Sequence, residues 1–139
     1  KSSVANVVMV DTAGKVTGKA VGTATVTATY SGNSVTVPVN VRKPDVEEIT
    51  ITSKDTIIRR GGTEQLAVIA YLSDETIETV TVLADYISSN PSAATVSNTG
   101  LVTGVAEGAT TITARYDNMS ATINIEVRPR LYIYIRTLL

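Results

Sequence analysis

Residues 23–30 (TATVTATY) alternate without a break, placing Ala24, Val26, Ala28 and Tyr30 on one side and Thr23, Thr25, Thr27 and Thr29 on the other. A period of two over this length predicts a strand with one face buried, and threonine on the wet face keeps β-propensity without adding apolar surface. Residues 34–41 continue the pattern, with Val35, Val37, Val39 and Val41 expected inward and Thr36, Pro38 and Asn40 outward. Ser31-Gly32-Asn33 between the two runs is turn chemistry, so the pair predicts a hairpin. Pro38 has no N–H to give to a ladder, which puts its strand at an edge. Farther along, Ile112, Ala114 and Tyr116, then Ala121, Ile123, Ile125 and Val127, predict a second hairpin around Asp117-Asn118. Residues 49–51, 57–58 and 64–72 read as further strands, and 79–83, 86–87 and 94–96 as shorter ones. No stretch carries a 3.6-residue apolar stripe with helix caps. The expected class is all-β, and short strands spaced by turn signals point to a sandwich.

The two hairpins are copies of one another. Gly14 to Val41 aligns with Gly100 to Val127 without a gap, at an offset of 86 residues. Gly14, Val16, Thr17, Gly18, Gly22, Thr27, Ala28 and Tyr30 are identical to Gly100, Val102, Thr103, Gly104, Gly108, Thr113, Ala114 and Tyr116. So long a period does not suit a solenoid and does suit a tandem array of small β domains. Only residues 1–13 precede the first glycine, so the first copy is expected to be the incomplete C-terminal part of a domain spanning 1–41. Its missing strands would come from a longer parent polypeptide or from another chain. A start at Lys1, without methionine or a leader pattern, fits a piece of a longer protein. Polar, proline-containing 42–45 is the expected linker, 46–127 a complete domain, and 128–139 a tail.

In that tail Leu131, Tyr132, Ile133, Tyr134 and Ile135 alternate again, with Arg136 on the tyrosine side. They are expected to form an additional strand that opens another unit or pairs elsewhere. An unpaired apolar strand invites association, so these five residues are the candidate interface.

Composition narrows the chemistry. The chain has no His, Cys or Trp, which removes thiolate nucleophiles, disulfides, soft metal sites and most catalytic triads. Its 12 basic and 13 acidic residues are dispersed, giving no footprint for nucleic acid or for an anionic membrane surface. No apolar run approaches the roughly 20 residues that cross a bilayer. Gly100, Gly104 and Gly108 lack the Lys-Ser/Thr of a phosphate loop and lead into a strand, so they are expected at turns. Asp74, Glu75 and Glu78, and Asp45, Glu47 and Glu48, are the acidic clusters. Loosely held calcium is the only metal they suggest, against solvated loop charge, and no cofactor is expected. Tyr30 and Tyr116 are expected as core or corner tyrosines with their hydroxyls turned to backbone. Asn118-Met119-Ser120 spells a glycosylation sequon without further support.

One run is diagnostic: Ser88-Ser89-Asn90-Pro91-Ser92-Ala93-Ala94-Thr95-Val96-Ser97, then Gly100-Leu101-Val102-Thr103-Gly104, Gly108 and Thr111-Ile112-Thr113-Ala114. It resembles the signature of the bacterial Ig-like domain group 2 family, over about 46–127 as a whole domain and 1–41 as a back half. The family often carries Trp two residues before the paired serines, where this chain has Tyr86; in the first copy Ala5 stands where the second has Pro91. The resemblance implies a non-catalytic immunoglobulin-like β-sandwich of the kind strung in tandem in bacterial surface proteins, including intimin- and invasin-like adhesins. Similar domains are attached to secreted enzymes and to phage capsid and tail proteins. The expected role is therefore a spacer or adhesive module, with a virion component as the alternative. Expected partners are a protein or glycan on a cell surface, or neighbouring subunits of an assembly.

Overall fold

The alternation of residues 23–41 folds into the predicted hairpin, β3 (Gly22–Tyr30) against β4 (Asn33–Val41), preceded by β1 (Val8–Val10) paired with β2 (Val16–Gly18). The computed structural model describes residues 1–133 and 135, and every regular element among them is a strand. The chain divides after Pro44 into two units.

The N-terminal unit contains these four strands. Ser31 and Gly32 at the hairpin tip both have positive φ (48° and 79°), the backbone of a tight primed turn that matches the twist of its strands. Its apolar face is covered at one end and open toward the hairpin tip: Ala24, like Val8 of β1, is buried, while Tyr30 is 85% exposed, Val35 68% and Val37 55%. The inward placement expected for Tyr30, Val35 and Val37 is therefore not met. The reason is that the two short strands β1 and β2 are the other sheet of this unit, too small to cover the hairpin as far as its tip.

The C-terminal unit has ten strands: β5 (Val46–Thr52), β6 (Ile57–Arg59), β7 (Thr63–Gln65), β8 (Ala67–Leu72), β9 (Ile77–Thr79), β10 (Asp85–Ser88), β11 (Ala94–Val96), β12 (Leu101–Gly104), β13 (Gly108–Tyr116) and β14 (Met119–Arg128). They form three sheets in the orders β5-β8-β9, β10-β13-β14-β6 and β11-β12-β7. All neighbours are antiparallel except β6 and β14, which run parallel with Ile57–Arg59 beside Glu126–Arg128. The sandwich core has two pools. Ile49, Val68, Ala70, Leu72, Val80, Ala84 and Ala114 make one; Ile58, Leu66, Ala94, Val102, Ile112, Ile125 and Val127 make the other.

Local irregularities account for the differences from the expected strands. Residues 64–72 are two strands, because the chain leaves the sheet of β12 at buried Leu66 and joins that of β5. Residues 80–83 are a turn: the N–H groups of Leu83 and Ala84 both bond the Val80 carbonyl at 2.9 Å. That spacing buries Val80 and Ala84 while Val82 and Leu83 stay exposed. In β5 a register break between Val46 and Glu48 lets Val46 and Ile49, three apart, both reach the core.

The four strands of the N-terminal unit correspond to β11–β14 at the same offset of 86 seen in the sequence. The correspondence extends below Gly14. Val7 and Val8 N–H bond the Val4 carbonyl as Ala93 and Ala94 N–H bond that of Asn90, so this turn forms without the Asn-Pro pair. Ser3 N–H bonds the Thr25 carbonyl as Ser89 N–H bonds that of Thr111.

Candidate functional site

The serine pair of the diagnostic run lies where β10 leaves β13. Ser88 Oγ donates to the Ala94 carbonyl at 2.7 Å and meets the buried Thr110 Oγ1 at 2.8 Å. Asn90 N–H also bonds Thr110 Oγ1, at 3.0 Å, and Asn90 Nδ2 donates to the Ala109 carbonyl at 3.2 Å. Ser89 Oγ accepts from Thr111 N–H at 2.9 Å. These hydroxyls tie the 90–94 turn to the sheet, and each has a partner. Among the described residues no buried side-chain nitrogen or oxygen lacks one. The signature is thus a hydrogen-bonded staple, since a buried hydroxyl left unpaired costs more than the bond itself returns.

Beside the staple is an open depression of about 520 Å³, reached by Ile57, Ser89, Thr110, Thr111, Asn124 and Glu126. Two of its polar side chains are tied to neighbours: Thr111 Oγ1 donates to Asn124 Oδ1 at 2.8 Å, and Glu126 pairs with Arg128 at 2.8 Å. The arginine bond holds the Glu126 carboxyl below the ordinary carboxylate range. A carboxylate kept charged by a guanidinium is a poor proton donor, and among the described residues no second carboxyl lines the depression. The arrangement offers neither an acid–base pair nor an activated nucleophile.

The remaining candidates lie apart. Gly100 has φ +77° at a turn, as expected, whereas Gly104 sits within β12. There a Cβ would approach the Arg59 carbonyl to 2.9 Å, so this glycine serves close backbone approach and not a turn. Asp74 Oδ1 accepts from the N–H and hydroxyl of Thr76, which lowers its pKa and caps the loop between β8 and β9. Among the described residues no three acidic side chains converge to hold a metal ion. Tyr116 is half-buried against the core, but Tyr30 is exposed, and Asn118 lies in the exposed β13–β14 turn. Leu131, Tyr132, Ile133 and Ile135 lie outside the strands and are between 74% and 89% exposed. Tyr134 and Arg136 fall outside the described residues. Among the described residues no helix is long and apolar enough to cross a membrane.

Two features escape the sequence pattern. Glu64 accepts from Lys54 N–H at 2.9 Å, Asp55 N–H at 3.1 Å and Ser53 Oγ at 3.0 Å. The Asp55 backbone bond leads in holding its carboxyl below the usual range. Arg59, Arg60, Arg128 and Arg130 gather at one end because β6 and β14 run side by side. Arg59 Nη1 donates to the Pro129 carbonyl and Arg130 Nε to that of Arg60, each at 3.3 Å. Neither is foreshadowed by spacing, since the partners in each join loops or strands distant along the chain.

Comparison with known proteins gives a consistent picture. The family profile described as bacterial Ig-like domain (group 2) matches residues 45–126. Ice-binding protein 1 of Shewanella frigidimarina is 29% identical over 116 residues, covering 84% of this chain and 13% of that protein. Among solved structures, surface layer protein SbsC, domains 1-6, superposes with a TM-score of 0.60 at 28% identity, covering 96% of this chain and 20% of that one. The S-layer protein rSbsC(31-844) gives a TM-score of 0.57 at 29% identity, covering 92% of this chain and 19% of that one. The chain therefore spans a fifth or less of each of these three.

Proposed function

The chain belongs to the bacterial Ig-like domain (group 2) family, and from that footing we propose that it is a non-catalytic structural module of a bacterial surface protein. It acts as a spacer and packs against neighbouring protein subunits. The observation that carries this reading is the likeness to surface-layer proteins over more than nine tenths of the chain, at 28–29% identity. The geometry supports it: the hydroxyl-rich signature is consumed in holding the sandwich, and the open depression beside it lacks reactive groups. A module filling 13% of a much longer protein suits a repeated building part better than a whole activity. In this reading 46–127 is the complete domain, 1–41 the back half of another, 42–45 the linker, and the exposed tail a contact with neighbours. The strand-for-strand correspondence at an offset of 86 supports that division.

Antibodies raised against the C-terminal unit test the location. They are expected to label intact cells of the bacterium that makes the protein, and brief protease treatment of those cells should remove the label. Labelling that requires permeabilised cells would overturn the surface reading.

A further inference from the structure

No run of like charge marks the sequence, yet its near-zero net charge is the sum of two opposed units. Residues 1–44 hold five basic side chains and one acidic, a net of +4, and residues 45–139 hold seven basic and twelve acidic, a net of −5. The acid is local within the second unit. No Lys or Arg occurs in residues 45–53 or 61–86, and these segments carry eight of the twelve carboxylates.

The same segments build the sheet β5-β8-β9, and its outward side has an apolar centre. Glu48, Tyr71 and Ile77 stand in register across the three strands. The neighbouring row contains Ile49 and Ala70, both buried, so this row points away from the core. Tyr71 and Ile77 are exposed, with Glu48 on one flank and Asp74 and Glu75 in the turn just beyond them. An aromatic and an aliphatic side chain left in water inside a charged border have the anatomy of a contact surface.

The N-terminal unit offers the complement. Met9 of β1 pairs with Thr17 of β2, and Lys15 and Lys19 lie two residues to either side of Thr17, on the same face by the period of two. Met9, Lys15 and Lys19 are all exposed. Their counterparts at the offset of 86 are Thr95, Leu101 and Val105, which are exposed too, in the unit whose sandwich is closed. The face therefore points to solvent whether or not a sandwich closes behind it. Nor does the fold call for lysine there, since Leu101 and Val105 serve in the other copy.

From this segregation we infer that the two faces bind one another between copies of the chain. The lysine face of one N-terminal unit docks on the acidic, apolar-centred face of the β5-β8-β9 sheet of a second copy. Like faces repel and unlike faces attract, so neighbouring copies lie staggered, each unit beside the unlike one. The inference rests on the reading of the chain as a module that packs against neighbouring subunits, and it names the surfaces that do so.

Sedimentation equilibrium of the full chain is the test. Association is expected in ~20 mM salt and should be roughly tenfold weaker in ~500 mM, where screening shortens the reach of the charges. Lys15→Glu with Lys19→Glu is expected to be monomeric, and so is Glu48→Lys with Glu75→Lys. An equimolar mixture of these two variants should associate again, because each retains one native face. Tyr71→Ser with Ile77→Ser, carried by both variants, should abolish that recovery. A parent chain that stays monomeric in low salt overturns the inference, and this result needs no variant to fold. A mixture that fails to associate also overturns it. So does a recovery that survives the loss of Tyr71 and Ile77, which would mark attraction between net charges alone. Labelling of intact cells is independent of these results: a labelled protein that is monomeric in solution keeps the proposed location and loses this contact.

Discussion

At the scale of single residues, the fold depends on a few positions that have no freedom. Gly100 combines φ +77° with a Cβ position 2.9 Å from the Tyr86 hydroxyl, which itself donates to the Thr81 carbonyl at 2.8 Å. Gly100→Ala is expected to cost about 2–3 kcal/mol, from a left-handed backbone and a displaced tyrosine together. Gly14→Ala has the same backbone strain (φ +83°) and open space around it, so about 1 kcal/mol is expected. Urea unfolding of the two variants side by side checks the difference; equal costs would mean the tyrosine contact is immaterial. Glu64 gives a pH signature. Its folded pKa is depressed, so its contribution is present above the ordinary glutamate value of about 4.3 and fades as pH falls through the folded value. Glu64→Gln should therefore be less stable than the parent at neutral pH, and the gap should narrow near pH ~3. A gap that does not change with pH would remove the charge from the account. Gly14 and Gly100 are plain in the sequence, because local turn chemistry selects them, whereas the strand position of Gly104 follows from the approach of Arg59, which only the fold brings about. Glu64 is not plain either, because its partners at 53–55 lie in a loop that only tertiary pairing brings to it.

At the scale of elements, period-two alternation located both long hairpins and the turns between their strands. It could not show which apolar face would be covered, because burial depends on a second sheet that the strand itself does not encode. Ile125 and Val39 occupy matching positions, one fully buried and one half-buried. Ile125→Ala should cost about 2–5 kcal/mol, and Val39→Ala about 1 kcal/mol or less. Unfolding midpoints of both variants measure this, and comparable losses would show that the N-terminal hairpin is already packed. The same limit explains the misread segment at 79–83. Val80 and Ala84 are apolar and spaced for a turn of helix, but Thr79 to Leu83 also suits a short strand, and the core contacts of Val80 decide between them.

At the scale of the whole molecule, both core pools consist of residues from the C-terminal unit. A chain of residues 45–139 is therefore expected to unfold in one cooperative transition monitored by circular dichroism, and a broad, featureless melt would contradict a self-sufficient core. Removing 131–139 should leave that transition in place while lowering the mass of any oligomer seen in light scattering; an unaltered mass would eliminate the tail as a contact. The parallel pairing of β6 with β14 has a further consequence for a spacer. When the two ends of the C-terminal unit are pulled apart, load reaching β6 draws it along its own axis against β14, in the opposite direction. The bonds from Glu126 N–H to the Thr56 carbonyl and from Arg60 N–H to the Arg128 carbonyl, both 2.8 Å, then lie across the force and share it, where an antiparallel pair would unzip one bond at a time. Such a unit should stay intact under tension until these bonds give way together, and so act as a mechanical clamp along the chain.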